Sequence, residues 1–263
     1  MSYKLSVEEL GFLMGYLGES AAAAGYLTSI IGAQAEENLT GRITAASHSL
    51  VARGLLRIGA SAAETSLEPE LAAFVQTIIA ASASLRCEKL QGAEEDVLTI
   101  FLGPERRIAH NITNLVIANL DDVTAHGVTG RRVVEFIAPP HTESAPTAEP
   151  VGTMTLPNLE AMREQIEQKK FDAAATLLAQ HVDAPIASEI VQTLSSDMVT
   201  WGSILLLETV DRTTETPLET NTGILYARTP AMLWLFSLHN DETVTIHCGS
   251  AAIIEPLVQS LIG

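Results

Sequence analysis

The feature that most restricts how this chain can fold is a run of prolines just past its midpoint. From Ala138 to Asn158 the sequence reads APPHTESAPTAEPVGTMTLPN. Each proline there removes a backbone donor and biases the residue before it away from helix. The small polar residues between them offer little to bury, so no helix or central strand is expected to run through. The stretch is read as a linker over 139–158 that joins an N-terminal half, 1–138, to a C-terminal half, 159–263. Each half exceeds 100 residues, enough for a hydrophobic core without disulfide or metal staples.

The first half opens with S-x-x-E at Ser6 to Glu9 ahead of Val7, Leu10, Leu13, Met14 and Leu17, a capping-box start to an amphipathic helix. A second helix is expected from about Thr44 to Leu56. Leu71, Phe74, Val75, Ile78 and Ile79 then make one apolar stripe on a helix from about Pro69 to Ala83. Strand-like runs follow at Ser84–Leu90, Val97–Leu102, Arg107–Thr113 and Leu115–Leu120, and Arg131 to Ile137 reads as a closing helix.

The second half repeats that order. Helices are expected at about Leu159–Gln168, Phe171–Gln180 and Ile186–Leu194. Strands are expected at Ser203–Val210, Gly223–Arg228, Met232–His239 and Thr243–Cys248, with turns at Asn221, Pro230 and Asn240-Asp241. A last helix carries Ile253, Ile254, Leu257 and Leu261. Val75-Gln76-Thr77 is echoed by Val191-Gln192-Thr193, Val123-Thr124-x-His126 by Val244-Thr245-x-His247, and Val133-Val134-Glu135 by Ile253-Ile254-Glu255, at spacings of about 116 to 121 residues. The expected class is therefore α+β in two similar halves produced by internal duplication. Each half is helices, then an antiparallel β-meander, then a closing helix, and a pseudo-twofold axis relates them.

Charge narrows the partners. The chain has 15 basic and 32 acidic residues, a net charge of −17, and such a surface repels nucleic-acid phosphates and anionic membranes. No nucleic acid and no membrane are expected as partners. The longest apolar stretches, such as Ala231 to Leu238, fall far short of the ~20 residues a membrane-spanning helix needs. Met1 to Glu9 lacks a basic flank followed by an apolar run, so no secretory signal is read there. Cys87 and Cys248 are far apart and unpaired in spacing, which fits free thiols and a cytoplasmic location.

Reactive motifs are missing. There is no G-x-S-x-G elbow, no phosphate-binding G-x-x-x-x-G-K-[ST] loop, no G-x-G-x-x-G turn and no H-E-x-x-H pair. His110, His126, His239 and His247 fall in strand regions and could converge on a metal or act as acid and base, although their spacing carries no ligand signature. Asp121-Asp122 and Asp241-Glu242 are paired carboxylates that also suit hairpin turns. His247 and Cys248 are neighbours on one strand and point to opposite faces, which rules them out as a directly bonded nucleophile pair. Ser49 to Leu56 has the helix-then-R-G-L order of a winged-helix regulator but no basic recognition helix.

Between Ser47 and Pro140 the chain resembles the EspG family, cytosolic chaperones of ESX (type VII) secretion. The likeness is carried by S-L-V-A-R-G-L-L at Ser49–Leu56, L-E-P-E-L-A-A-F at Leu67–Phe74 and R-R-V-V-E-F-I-A-P-P at Arg131–Pro140. L-S-V-E-E-L at Leu5–Leu10, G-I-L-Y-A-R at Gly223–Arg228, Trp234, T-V-T-I at Thr243–Ile246 and the terminal amphipathic helix extend it over most of the chain. The resemblance implies a two-half α+β fold and a non-enzymatic protein that holds PE–PPE secretion substrates soluble. One departure bears on the client: Ala21 to Leu27 reads AAAAGYL, where the family carries a proline-bearing P-x-P-L segment.

The resulting expectation is a non-enzymatic cytoplasmic chaperone or adaptor that binds a client protein, without cofactor, catalytic residue or metal. No partner-binding residue is assigned. Candidate aromatic anchors are Trp201, Tyr226, Trp234 and Phe236. The alternative is a small-ligand binder or enzyme using a pocket between the halves. A homodimer formed through apolar edge strands is also left open.

Overall fold

The computed structural model describes residues 1–32, 36–60, 64–114, 116–140, 149–208 and 222–263. Its strands are β1 (Ser2–Ser6), β2 (Leu56–Arg57), β3 (Ser66–Leu67), β4 (Ala83–Gln91), β5 (Glu94–Leu102), β6 (Arg107–Thr113), β7 (Ile117–Asp122), β8 (Gly152–Thr155), β9 (Thr200–Glu208), β10 (Gly223–Arg228), β11 (Leu233–Leu238) and β12 (Thr243–Cys248). Its helices are α1 (Val7–Tyr16), α2 (Ser20–Ile31), α3 (Glu36–Ala52), α4 (Pro69–Ala80), α5 (Val128–Ile137), α6 (Leu156–Glu167), α7 (Phe171–Leu178), α8 (Ala184–Leu194) and α9 (Ala251–Ile262). Two compact units form, one from Met1–Ser84 and Leu98–Ala125, the other from Leu85–Val97 and His126–Gly263.

The expected pair of halves related by a pseudo-twofold axis is not what forms. Strands from the whole chain join one ten-stranded hydrogen-bonded order, β1-β7-β6-β5-β4-β9-β10-β11-β12-β8, beside a two-stranded sheet of β2 and β3. A meander pairs strands with their neighbours in sequence, whereas three pairings that decide the order are distant ones. β1, ahead of the first helix, pairs with β7; β8, inside the proline-rich stretch, pairs with β12; and β4 neighbours β9. Two of the three echoes fall in like elements, Val75–Thr77 in α4 and Val191–Thr193 in α8, Val133–Glu135 in α5 and Ile253–Glu255 in α9, but the third does not. Val123–His126 follows the end of β7, whereas Val244–His247 lies within β12. The expected strand start at Leu115, strand end at Val210 and turn at Asn221 lie outside the described residues.

In the first unit, β1 alternates, with Tyr3 and Leu5 buried between exposed neighbours, so one face of the strand meets α1 and α4. Leu10, Leu13, Leu71, Phe74 and Val75 complete that core. Tyr3 and Phe74 meet edge to face at 5.1 Å, and the Tyr3 hydroxyl donates to Glu68 Oε2 at 2.7 Å. The capping box forms as the sequence predicts: Glu9 N–H donates to Ser6 Oγ at 3.0 Å and Ser6 N–H to Glu9 Oε2 at 2.7 Å. Ser6→Ala is expected to cost about 1 kcal/mol, read as a shift in urea midpoint at unchanged slope. No shift would mean that the cap contributes nothing net.

In the second unit the strands again separate two faces. Ala227, Trp234, Phe236, Val244 and Ile246 share a core with Met162 of α6, Leu178 of α7 and Ile190 of α8. The Trp234 indole N–H donates to Thr193 Oγ1 at 3.3 Å, which satisfies its one polar atom in the interior. Residues of the other parity, Ile224, Tyr226 and Leu235, are equally buried on the opposite face. Helices α5 and α9 pack on each other where Gly130 approaches Glu255.

The two terminal strands of the ten-stranded order are shielded. Arg53 Nη2 donates to the Lys4 carbonyl on β1 at 2.8 Å. A Cβ at Gly152 on β8 would lie 2.3 Å from the His181 carbonyl oxygen, so the connection between α7 and α8 runs against that strand. Such cover is how sheets avoid adding foreign strands.

Candidate functional site

The site is built around β9. Alternation sends Trp201, Ser203 and Leu205 to the face that carries α6 to α8, and the register sets them opposite Ala227, Leu225 and Gly223 of β10. Leu225 in turn lies opposite Phe236 of β11. The helices close over Trp234, but beside β9 they leave a groove of about 660 Å³, within the usual range of ligand-binding cavities. Leu159, Met162 and Ile166 of α6 form one wall, Leu90 and Gly92 at the end of β4 another, and Trp201, Leu205, Leu225 and Phe236 lie beneath.

The groove is mostly apolar, with four polar side chains. Arg163 and Glu167 pair along α6 at 2.9 Å, the i,i+4 spacing that places two residues on one helical face. Glu88 takes a hydrogen bond from Arg86 Nε at 2.5 Å on one oxygen and a long one from Ser203 Oγ, 3.5 Å, on the other.

A glycine makes the arrangement possible. The Tyr226 ring crosses β9 at Gly202 and its hydroxyl donates to the Glu88 carbonyl at 2.9 Å. A Cβ at Gly202 would sit 2.2 Å from both that carbonyl oxygen and Tyr226 Cζ. An aromatic ring laid over a strand glycine covers backbone that would otherwise lack a side chain. Burial pushes the Tyr226 phenol well above its ordinary range, so the hydroxyl stays a neutral donor.

Of the four expected anchors, Tyr226, Trp234 and Phe236 are at most 2% exposed and hold the sheet together. Trp201 alone is half-buried and accessible in the groove. Leu90, 45% exposed at the end of β4, was missed. Its only sequence signal is a leucine placed two residues before the Gly92-Ala93 turn. Leu159, Met162 and Ile166 lie on the helix expected at about Leu159–Gln168, where nothing in their spacing tells a groove wall from a core.

The histidines do not gather at this site. His110 lies 3.2 Å from the Tyr26 hydroxyl through Nε2; His239 Nε2 lies 2.9 Å from Thr245 Oγ1; His247 is buried in β12; and His126 borders a cleft between α5 and α9. None of the four lines the groove. Among the described residues no group of three or more His, Cys, Asp or Glu could hold a metal ion, and no helix is long and apolar enough to cross a membrane. Asp122 and Asp241 accept from the backbone N–H groups of Thr124 and Thr243, as turn-forming aspartates do. Cys87 and Cys248 are free, and burial pushes the Cys87 thiol well up. Arg53, in the segment that resembles a winged helix, is occupied by the Glu9 carboxylate at 2.9 Å.

Neither a family model nor a curated protein matches this sequence. Among solved structures, the chain is similar to the Mycobacterium tuberculosis type VII secretion system chaperone EspG5, determined in complex with a PE25–PPE41 dimer. The TM-score is 0.70 at 8% sequence identity, over 100% of this chain and 96% of the EspG5 chain. The resemblance carried by the hydrophobic motifs thus holds in three dimensions: this chain has the fold of an EspG-type chaperone.

Proposed function

We propose that this protein is a non-enzymatic chaperone that binds a secretion substrate or other client protein in the cytoplasm and keeps it soluble by covering the client's apolar surface. The observation that carries the reading is the likeness to EspG5 along essentially the full length of both chains, because EspG5 was solved holding two other proteins. The groove supplies the physical means. It brings Trp201 and Leu90 within reach of a partner, and an aromatic anchor within an apolar recess is the usual centre of a protein interface. The acidic surface keeps the loaded chaperone from associating further. With the terminal strands shielded, insertion of client side chains fits the molecule better than strand addition.

The test is recovery of a stoichiometric complex from the protein's own source by size exclusion with light scattering, repeated with Leu90→Lys. Leu90 is exposed, so the variant is expected to fold as the parent does, while a charge at the groove lowers client affinity by at least about tenfold. A client retained at full affinity by Leu90→Lys would remove the groove from the reading. Recovery of the chain alone, with a bound metabolite, would favour a small-ligand function.

A further inference from the structure

We propose that the groove selects its client by charge as well as by apolarity, accepting a segment that lays a lysine or arginine side chain against Glu88 and Trp201 while neighbouring apolar side chains fill the space over Leu205 and Phe236. This rests on the chaperone reading, since it names what the client presents.

The geometry of Glu88 is the first reason. A carboxylate offers about four acceptor positions, and the donors it has are Arg86 on one oxygen and the 3.5 Å contact from Ser203 on the other. A hydroxyl at that distance is at the limit of hydrogen bonding. The second oxygen therefore keeps acceptor capacity in a lining that is otherwise nearly all apolar, where a charge-assisted bond is stronger than in water. The second reason is Trp201, whose ring lies in the same lining; an indole face attracts ammonium and guanidinium groups. The third is the balance of charge. Glu88, Glu167 and Arg163 are the charged groups of the lining. With Arg163 paired to Glu167 at 2.9 Å, the described lining carries two carboxylates to one guanidinium, a net negative charge that disfavours an acidic segment or a fatty-acid carboxylate.

The test uses the full chain and two labelled synthetic helices of about 20 residues, alanine-based to hold the helix. Both carry Leu and Phe one turn apart and differ only in a Lys or Glu between them. Fluorescence anisotropy at low salt is expected to show the Lys peptide binding roughly tenfold tighter than its Glu twin. That ratio falls toward one in Glu88→Gln and at high salt, where the Debye length drops to about 3 Å. Equal binding of the twins, tighter binding of the Glu peptide, binding of neither, or displacement of the Lys peptide by oleate with equal avidity overturns the charge selectivity. Leu90→Lys separates this from the broader reading. If it abolishes binding of twins that the parent binds equally, the groove still binds client and only the preference for a cation fails.

Discussion

Replacing Gly202 by alanine is expected to lower the unfolding free energy by about 3 kcal/mol, the upper end of what overpacking a well-packed interior costs. The new methyl group meets two obstacles of different kinds. One is the Tyr226 ring, which a rotamer change could move; the other is the Glu88 carbonyl oxygen, 2.2 Å away, which belongs to the backbone of the neighbouring strand and cannot yield without parting β4 from β9. Removing the ring alone therefore does not rescue the variant, and Gly202→Ala combined with Tyr226→Leu stays destabilised. Tyr226→Phe should cost only about 1 to 2 kcal/mol, the loss of one buried hydrogen bond. Urea unfolding followed by circular dichroism measures both. A cost below about 1 kcal/mol for Gly202→Ala would show that the close approach does not exist in solution. Because β9 also carries Trp201 and Ser203 into the groove, the alanine variant should bind client more weakly even where it is still folded, whereas Tyr226→Phe should bind normally.

Gly202 also marks where the sequence stops being legible. Elements whose information is local were readable: α4 from the stripe Leu71, Phe74, Val75 and Ile78, the start of α1 from Ser6 and Glu9, and β10 and β12 at the boundaries observed. Those needing a distant partner were not. β1 alternates Tyr3 and Leu5 over only five residues, β8 occupies four residues among prolines, and α2 is a run of alanines with only Ala23 and Leu27 buried. Such segments acquire their structure from β7, β12 and α1. The groove is further removed still. Trp201 and Trp234 share a face of the sheet, yet Trp234 is covered by a core that includes Ile190 and Val191 of α8, whose Thr193 takes its indole hydrogen bond, while Trp201 opens into the groove. No spacing within either strand reports that difference.

Lowering the pH from 6.5 to 4 is expected to remove up to about 3 kcal/mol of stability through His110 alone. Its ring packs edge-on to Tyr26 at 5.7 Å and lies 6.3 Å from Phe101, and burial lowers its pKa from 6.5 to about 4. In that window the unfolded chain takes up a proton that the folded chain refuses, so stability is highest above pH 6.5 and falls as the pH drops toward 4. Carboxylate protonation contributes mainly below the ordinary carboxylate values near 4, so the slope between pH 6.5 and 5 isolates histidine. His110→Gln keeps a polar side chain near the Tyr26 hydroxyl but cannot titrate, and most of that slope should vanish. A residue of it should remain from His247, which burial also holds below its ordinary value. Urea midpoints taken at half-unit pH intervals decide the matter, and a parent slope that His110→Gln leaves intact would mean that α2 releases the imidazole to water before the rest of its unit unfolds. That outcome would fit the sparse burial of α2, which meets the fold through little more than Ala23, Tyr26 and Leu27. Local opening would then set the acid sensitivity of the helix, while the global midpoint would report on the core beneath it.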